Sequence, residues 1–193
     1  MRLRNSYFVL RHGENNHLVK NKDIAYFWPE VTPIKLTKKG QKDVKNSVKK
    51  IKKAGIDLIY SSDILRAKET AKIAAKELGI KKIIYDKRLR DINMGVYQGR
   101  AKKDFCEFMG YKKRKFSKNP PRGESWVDVK KRVKNFIKKV DKTYKGKNIL
   151  IVGHGDPLWL LEGVVKGKTN RQLINEVFKK EKYIGIAELR KIN

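Results

Sequence analysis

The chain has 193 residues, 39% of them apolar, which suffices for one domain with an ordinary core, and its single cysteine, Cys106, excludes an intrachain disulfide. The formal charge of +29 comes from 37 Lys and 12 Arg against 20 acidic residues, and no apolar run of about 18 residues offers a membrane-spanning helix. With no secretory h-region to be read, the expectation is a cytoplasmic protein in a reducing compartment. The lysines are scattered through every helical segment, as in KDVKNSVKKIKK at 42–53, which favours solvated helix faces over a nucleic-acid groove, a partner the charge nonetheless leaves open. The densest run, YKKRKFSK at 111–118, interleaves two aromatics with its cations.

In chain order, residues 5–10 read as a buried strand ending at Arg11 and His12. Thr37 precedes a helix with Val44, Val48 and Ile51 on one face, stopped by Gly55. DLIYSS at 57–62 is a second strand, and Ser62 is placed to cap a helix carrying Ile64, Ala67, Ala71, Ala74, Ala75 and Leu78, ending at Gly79. KIIYD is a third strand, followed by an irregular basic stretch that NPPRGE closes. Ser125 then caps a helix with Trp126, Val129, Val133, Phe136, Ile137 and Val140 at helical spacing. NILIVG at 148–153 is the next strand, Pro157 opens another helix, Asn170 caps a shorter one, and IGIAEL at 184–189 closes the sheet. Strands alternating with amphipathic helices predict one domain, a three-layer α/β/α sandwich on a mostly parallel sheet.

In such sheets, the loops at the carboxyl ends of the strands gather into one crevice. That rule brings together Arg11 and His12, Arg66 just past the second strand, Asp91 in RLRDINMG past the third, and His154 in VGHGD past the fourth. A neutral imidazole is a competent nucleophile toward phosphorus, and guanidiniums bind phosphoryl oxygens through paired hydrogen bonds that Lys cannot reproduce. The sequence offers no zinc spacing, no Walker-type loop and no carboxylate cluster for two metals, so chemistry without a metal or other cofactor is expected.

Five segments, LRHGEN, SSDILRAKETA, LRDINMGVYQGR, GES and VGHGD, resemble in order the motifs of the histidine phosphatase superfamily, the phosphoglycerate mutase-like fold, with LTKKGQ matching a further helix-start pattern. The resemblance implies two-step, metal-independent phosphoryl transfer through a phosphohistidine. Carried over by position, it makes His12 the nucleophile and Arg11, Arg66 and His154 the phosphate pocket. Asp91 is the proton donor where the family usually has Glu, and Asp156, close behind the second histidine, is the alternative. Glu124 in GES is a pocket-edge group. Where the family often has a phosphate-contacting Asn this chain has Leu18, and Asn15, Asn16 or His17 stands near enough to replace it. Gly13 is expected to keep a Cβ away from the phosphate. Tyr26, Phe27 and Trp28 lie in a long irregular loop of the kind that covers sites.

The favoured function is a phosphomonoesterase of broad specificity acting on small phosphorylated metabolites. A phosphoglycerate mutase is the second reading. Mutases of this type resemble longer chains with a sizeable insertion after the acid motif, whereas only a short basic cap at about 99–123 is available here. A non-catalytic protein that uses its basic surface for binding is the third. Oligomeric state is not legible.

Overall fold

A computed structural model of the chain describes residues 2–27, 30, 32–110, 116–180 and 183–193, the side chains of 177–180 apart. Trp28 and residues 111–115 of the basic run lie outside these. The strands are β1 (Ser6–Arg11), β2 (Leu58–Ser61), β3 (Ile83–Tyr85), β4 (Asn148–Gly153) and β5 (Leu189–Lys191), in the spatial order β3-β2-β4-β1-β5. The first four run parallel, and β5 is antiparallel to β1. The helices are α1 (Asn16–Lys20), α2 (Lys38–Lys49), α3 (Leu65–Leu78), α4 (Lys102–Met109), α5 (Trp126–Thr143), α6 (Gly155–Val165) and α7 (Asn170–Lys180).

The pleat of β1 divides the core. Tyr7 and Val9 join one cluster with Ile149, Ile151 and the apolar stripes of α5 and α6, while Phe8 and Leu10 join the other with Leu150, Val152, α2 and α3. Helices therefore cover both faces of the sheet, the three layers predicted. Because β1, β2, β3 and β4 are parallel, Arg11, Ser61, Tyr85 and Gly153 all end on one edge.

Local signals hold where the cap is a short-range contact. Thr37 accepts from the Gly40 amide at 2.9 Å, and Ser125 forms a reciprocal capping box with Asp128. Ser62 does not cap α3, which starts at Leu65 with no side-chain cap: its hydroxyl accepts from the Ile64 amide at 3.3 Å and lies 2.9 Å from His154 Nε2. Asn170 is also displaced as a cap, because Thr169 and Gln172 exchange hydrogen bonds at the start of α7 and Asn170 accepts from Lys130. The last strand is shifted from 184–189 to Leu189–Lys191: the preceding residues form a turn in which the Ala187 amide donates to the His12 carbonyl at 3.1 Å and Ala187 has φ 54°. Within the stretch read as irregular, α4 forms around the buried Phe105 and Met109. Its approach pairs with the loop after α1, where Ala25 donates to the Arg100 carbonyl and Gly99 to that of Ala25.

Gly13 is constrained by packing, not by phosphate clearance. A Cβ there would lie 2.7 Å from the Gly40 carbonyl oxygen and 2.9 Å from Val44, and one on Gly40 would lie 2.1 Å from the Glu14 carbonyl oxygen. The strand-end loop and the start of α2 thus touch backbone to backbone, which accounts for the glycine in LTKKGQ. Gly40→Ala is expected to destabilise the fold by about 1–3 kcal/mol or more, because neither backbone can yield, and the urea midpoint measures it.

Candidate active site

His12 directly follows β1 and is 1% exposed. Its Nδ1 lies 2.9 Å from the Gly13 carbonyl oxygen. A carbonyl only accepts, so Nδ1 carries the proton and Nε2 keeps its lone pair. Burial, then Arg66, His154 and Arg11, hold the imidazole well below the ordinary histidine value. The ring is therefore neutral at physiological pH, and its tautomer leaves Nε2 as the basic atom. His154, the residue before α6, stands with its ring centre 5.3 Å from that of His12 and is likewise kept neutral, first by burial and then by Arg66 and Arg11.

The two predicted arginines converge on the histidines. Arg11 donates through Nη1 to the Ile184 carbonyl at 2.8 Å, and its guanidinium faces the Tyr183 ring at 5.6 Å. Arg66, in the first turn of α3 and 1% exposed, donates through Nη2 to Asp91 at 3.0 Å and through Nη1 to Glu30 at 2.6 Å. Tyr26 lies 4.0 Å from the Arg66 guanidinium carbon. Arg11 Nε, Arg66 Nε and His154 Nδ1 are buried with no hydrogen-bond partner. Native proteins rarely leave such groups unpaired, at about 1–3 kcal/mol each, and all three belong to the residues expected to hold phosphoryl oxygens.

Asp91 lies on the same side, with Oδ2 3.6 Å from His154 Nδ1 and Oδ1 accepting from the Ile92 amide. It lines a cavity of about 290 Å³ together with Arg66, Lys87, Glu124, Arg132 and the apolar Phe27, Ile64, Ile92 and Met94. Arg11, His12 and His154 are not among its lining residues, and the link between them and the cavity is Arg66 and Asp91. Glu124 is on the cavity wall, both oxygens taken by Arg132 at 2.8 and 3.1 Å. Among the described residues Asn15 meets the site through Tyr26: its oxygen caps α1 by accepting from Leu18 and its amide donates to the Tyr26 hydroxyl at 3.3 Å. His17 donates through Nε2 to the Ile24 carbonyl at 2.9 Å, and the Asn16 amide is turned toward the Pro33 carbonyl.

Asp156 is buried and accepts from the Tyr183 hydroxyl at 2.9 Å. Burial, then the charge of Asp91, raise its carboxyl from 3.8 to about 6, against the opposing pull of Tyr183, Arg11 and Trp126. The folded protein then holds this proton more tightly than the unfolded chain. Its contribution to stability is full below 3.8 and is lost as pH rises through about 6. Asp156→Asn is expected to make the protein about 2–3 kcal/mol more stable than the native chain above that range, the gap narrowing toward acid pH, as urea unfolding at several pH values would record.

Sequence reasoning placed Tyr26 in a loop that covers the site, where it meets Arg66, and missed Glu30, Ser62 and Arg132 as groups of the site. Arg132 projects from α5 and, besides Glu124, donates to the carbonyls of Arg88 at 2.6 Å and Asp91 at 3.0 Å, so it fixes the backbone that carries Asp91. No group of three or more His, Cys, Asp or Glu side chains suited to a metal ion occurs among the described residues. Nor is any helix among them long and apolar enough to cross a membrane.

A family model described as the histidine phosphatase superfamily, branch 1, matches residues 7–176. The chain belongs to that superfamily. Histidine phosphatase superfamily members are phosphoryl-transfer proteins of the phosphatase or mutase type, and this chain is similar to both. It is 30% identical over 165 residues to the Escherichia coli O1:K1 protein named "Probable phosphoglycerate mutase GpmB", covering 83% of this chain and 74% of that one. Among solved structures, a mycobacterial glucosyl-3-phosphoglycerate phosphatase superposes with a TM-score of 0.77 at 20% identity, over 97% of this chain and 89% of the other. Bacillus stearothermophilus YhfR superposes with a TM-score of 0.72 at 27% identity, over 88% of this chain and 83% of the other. A phosphoserine phosphatase from Entamoeba histolytica, solved with phosphoserine, gives 0.74 at 21% identity over 96% and 88%. The likenesses at 20% and 21% identity concern the fold alone.

Proposed function

We propose that this histidine phosphatase superfamily member is a metal-independent phosphomonoesterase that acts in the cytoplasm on small phosphorylated metabolites through a phosphohistidine at His12. The observation that carries the reading is the state of His12: neutral, with Nδ1 engaged by the Gly13 carbonyl and Nε2 left basic, beside two guanidiniums and a second neutral imidazole that have unpaired buried nitrogens. In the first step Nε2 attacks phosphorus, the bond to the ester oxygen breaks, and Asp91 gives that oxygen a proton. In the second, water gives a proton back to Asp91 and its oxygen attacks the phosphorus. The N–P bond breaks, releasing inorganic phosphate and returning His12 to its starting form. Arg11, Arg66 and His154 face charge that spreads over the transferring oxygens, so their stabilisation is greatest in the transition states.

The mutase reading shares the first step and differs only in the acceptor, the phosphohistidine returning its phosphoryl group to an organic hydroxyl. Likeness to the E. coli protein supports it. The brevity of the 99–123 segment, proposed here as a cap, supports water as acceptor, because less chain is available to shut solvent out. Phosphate release from an aryl phosphomonoester with chelator present tests the proposal. Chelator-resistant release is expected. Inactivity there combined with phosphoglycerate interconversion would overturn hydrolysis in favour of the mutase.

A further inference from the structure

Arg66 has the two forked nitrogens that would clasp a phosphoryl group, and both are already taken by carboxylates. Nη1 is 2.6 Å from Glu30 and Nη2 is 3.0 Å from Asp91, while the guanidinium itself is 1% exposed. Around the nucleophile, the charges of Arg11 and Arg66 are matched by those of Glu30 and Asp91, and both histidines are neutral. A phosphate dianion entering this balanced site would lie against two carboxylates at low dielectric, which is strongly unfavourable unless one gives way. Asp91 is the one that stays. It is the acid and base of the proposed mechanism, it lines the cavity, and its backbone is held by Arg132 and its side chain by the Ile92 amide. Glu30 has no part in the proposed chemistry, lies between α1 and α2 in the chain, and is held by Arg66 and by the Ile34 amide.

We infer that Glu30 is a built-in competitor for the phosphoryl site: the substrate's phosphoryl group binds Arg66 by displacing the Glu30 carboxylate, and Glu30 thereby sets how weakly the site holds phosphate. The inference rests on the reading of Arg66 as a phosphoryl ligand. In the resting protein the carboxylate supplies the partner that a buried guanidinium requires. After turnover it returns to Nη1 and helps expel the product, which keeps phosphate release from limiting the cycle. The side chain is thus an affinity-determining residue whose removal strengthens binding, the reverse of what removal of a residue that merely orients Arg66 would do.

The test is titration calorimetry with inorganic phosphate on the native chain, Glu30→Gln and Glu30→Asp, each checked for folding by its thermal melt. Gln keeps an oxygen for the Ile34 amide and for Arg66 but loses the charge, and phosphate is expected to bind about tenfold more tightly, with product inhibition strengthened to match. Asp keeps the charge but withdraws it by one methylene, so a smaller gain is expected, and it stands in for Gln if that variant fails to fold. Binding equal to the native chain's, or weaker, in the folded variants overturns the inference and leaves Glu30 as an orienting partner. No phosphate binding by any of the three chains overturns instead the reading of Arg66 as a phosphoryl ligand, and this inference with it.

Discussion

His12→Ala is expected to abolish turnover, lowering kcat toward an aryl phosphomonoester by about 10⁴- to 10⁶-fold, the range seen when a covalent nucleophile is removed. The size follows from the geometry. Arg11, Arg66 and His154 remain in place to bind the phosphoryl group, so KM should move little, but no other side chain in the pocket combines a basic lone pair with neutrality. His154 is excluded as a substitute because its Nε2 is engaged with Ser62 and its Nδ1 faces Asp91 at 3.6 Å. The ring is buried and makes one hydrogen bond, to Gly13, so the variant should still fold, with a modest fall in melting temperature. A variant that keeps more than about a tenth of the native rate would sink the assignment of His12 as nucleophile, since removing a general contributor costs far less than removing the atom that forms the bond.

The parts of this molecule that were legible in its sequence are those fixed by short-range periodicity. Strand β1 announces itself by four consecutive apolar residues, α5 by its stripe from Trp126 to Val140, and the gathering of Arg11, His12, Arg66, Asp91 and His154 follows once the strands are known to be parallel. What was illegible depends on contacts distant in sequence. Ser62 looks like a cap by position, yet His154, 92 residues away, lies within hydrogen-bond reach of its hydroxyl. Helix α4 has Phe105, Phe108 and Met109 at helical spacing but is only eight residues long and has no side-chain cap at its start, and Phe105 and Met109 are buried in the core. Gly13 looked like clearance for a ligand and is instead the contact between a loop and the start of α2. One signal for Arg132 was present and unused. In a chain whose default cation is Lys, 37 to 12, an arginine is a chemical choice, and Arg66, Arg88, Arg90, Arg132 and Arg190 all make carboxylate pairs.

Asp91→Asn should separate the two steps of the reaction. Overall turnover is expected to fall by about 10²- to 10⁴-fold, the usual contribution of a positioned acid or base. The loss should fall unevenly, because a nitrophenolate leaves without a proton whereas an alkoxide needs one. With nitrophenyl phosphate the variant should therefore form phosphohistidine readily and then stall, lacking the base that activates water, so that a burst of nitrophenolate precedes slow turnover. With an alkyl phosphate no burst should appear, since the first step is now the slow one. Asp156→Asn should do neither, because that carboxyl is turned toward Tyr183 and its removal acts on stability. If Asp156→Asn produced the burst and Asp91→Asn left the rate within a few-fold of native, the proton donor would be Asp156. The pairing of Asp91 with Arg66 would then serve only to hold the guanidinium in place.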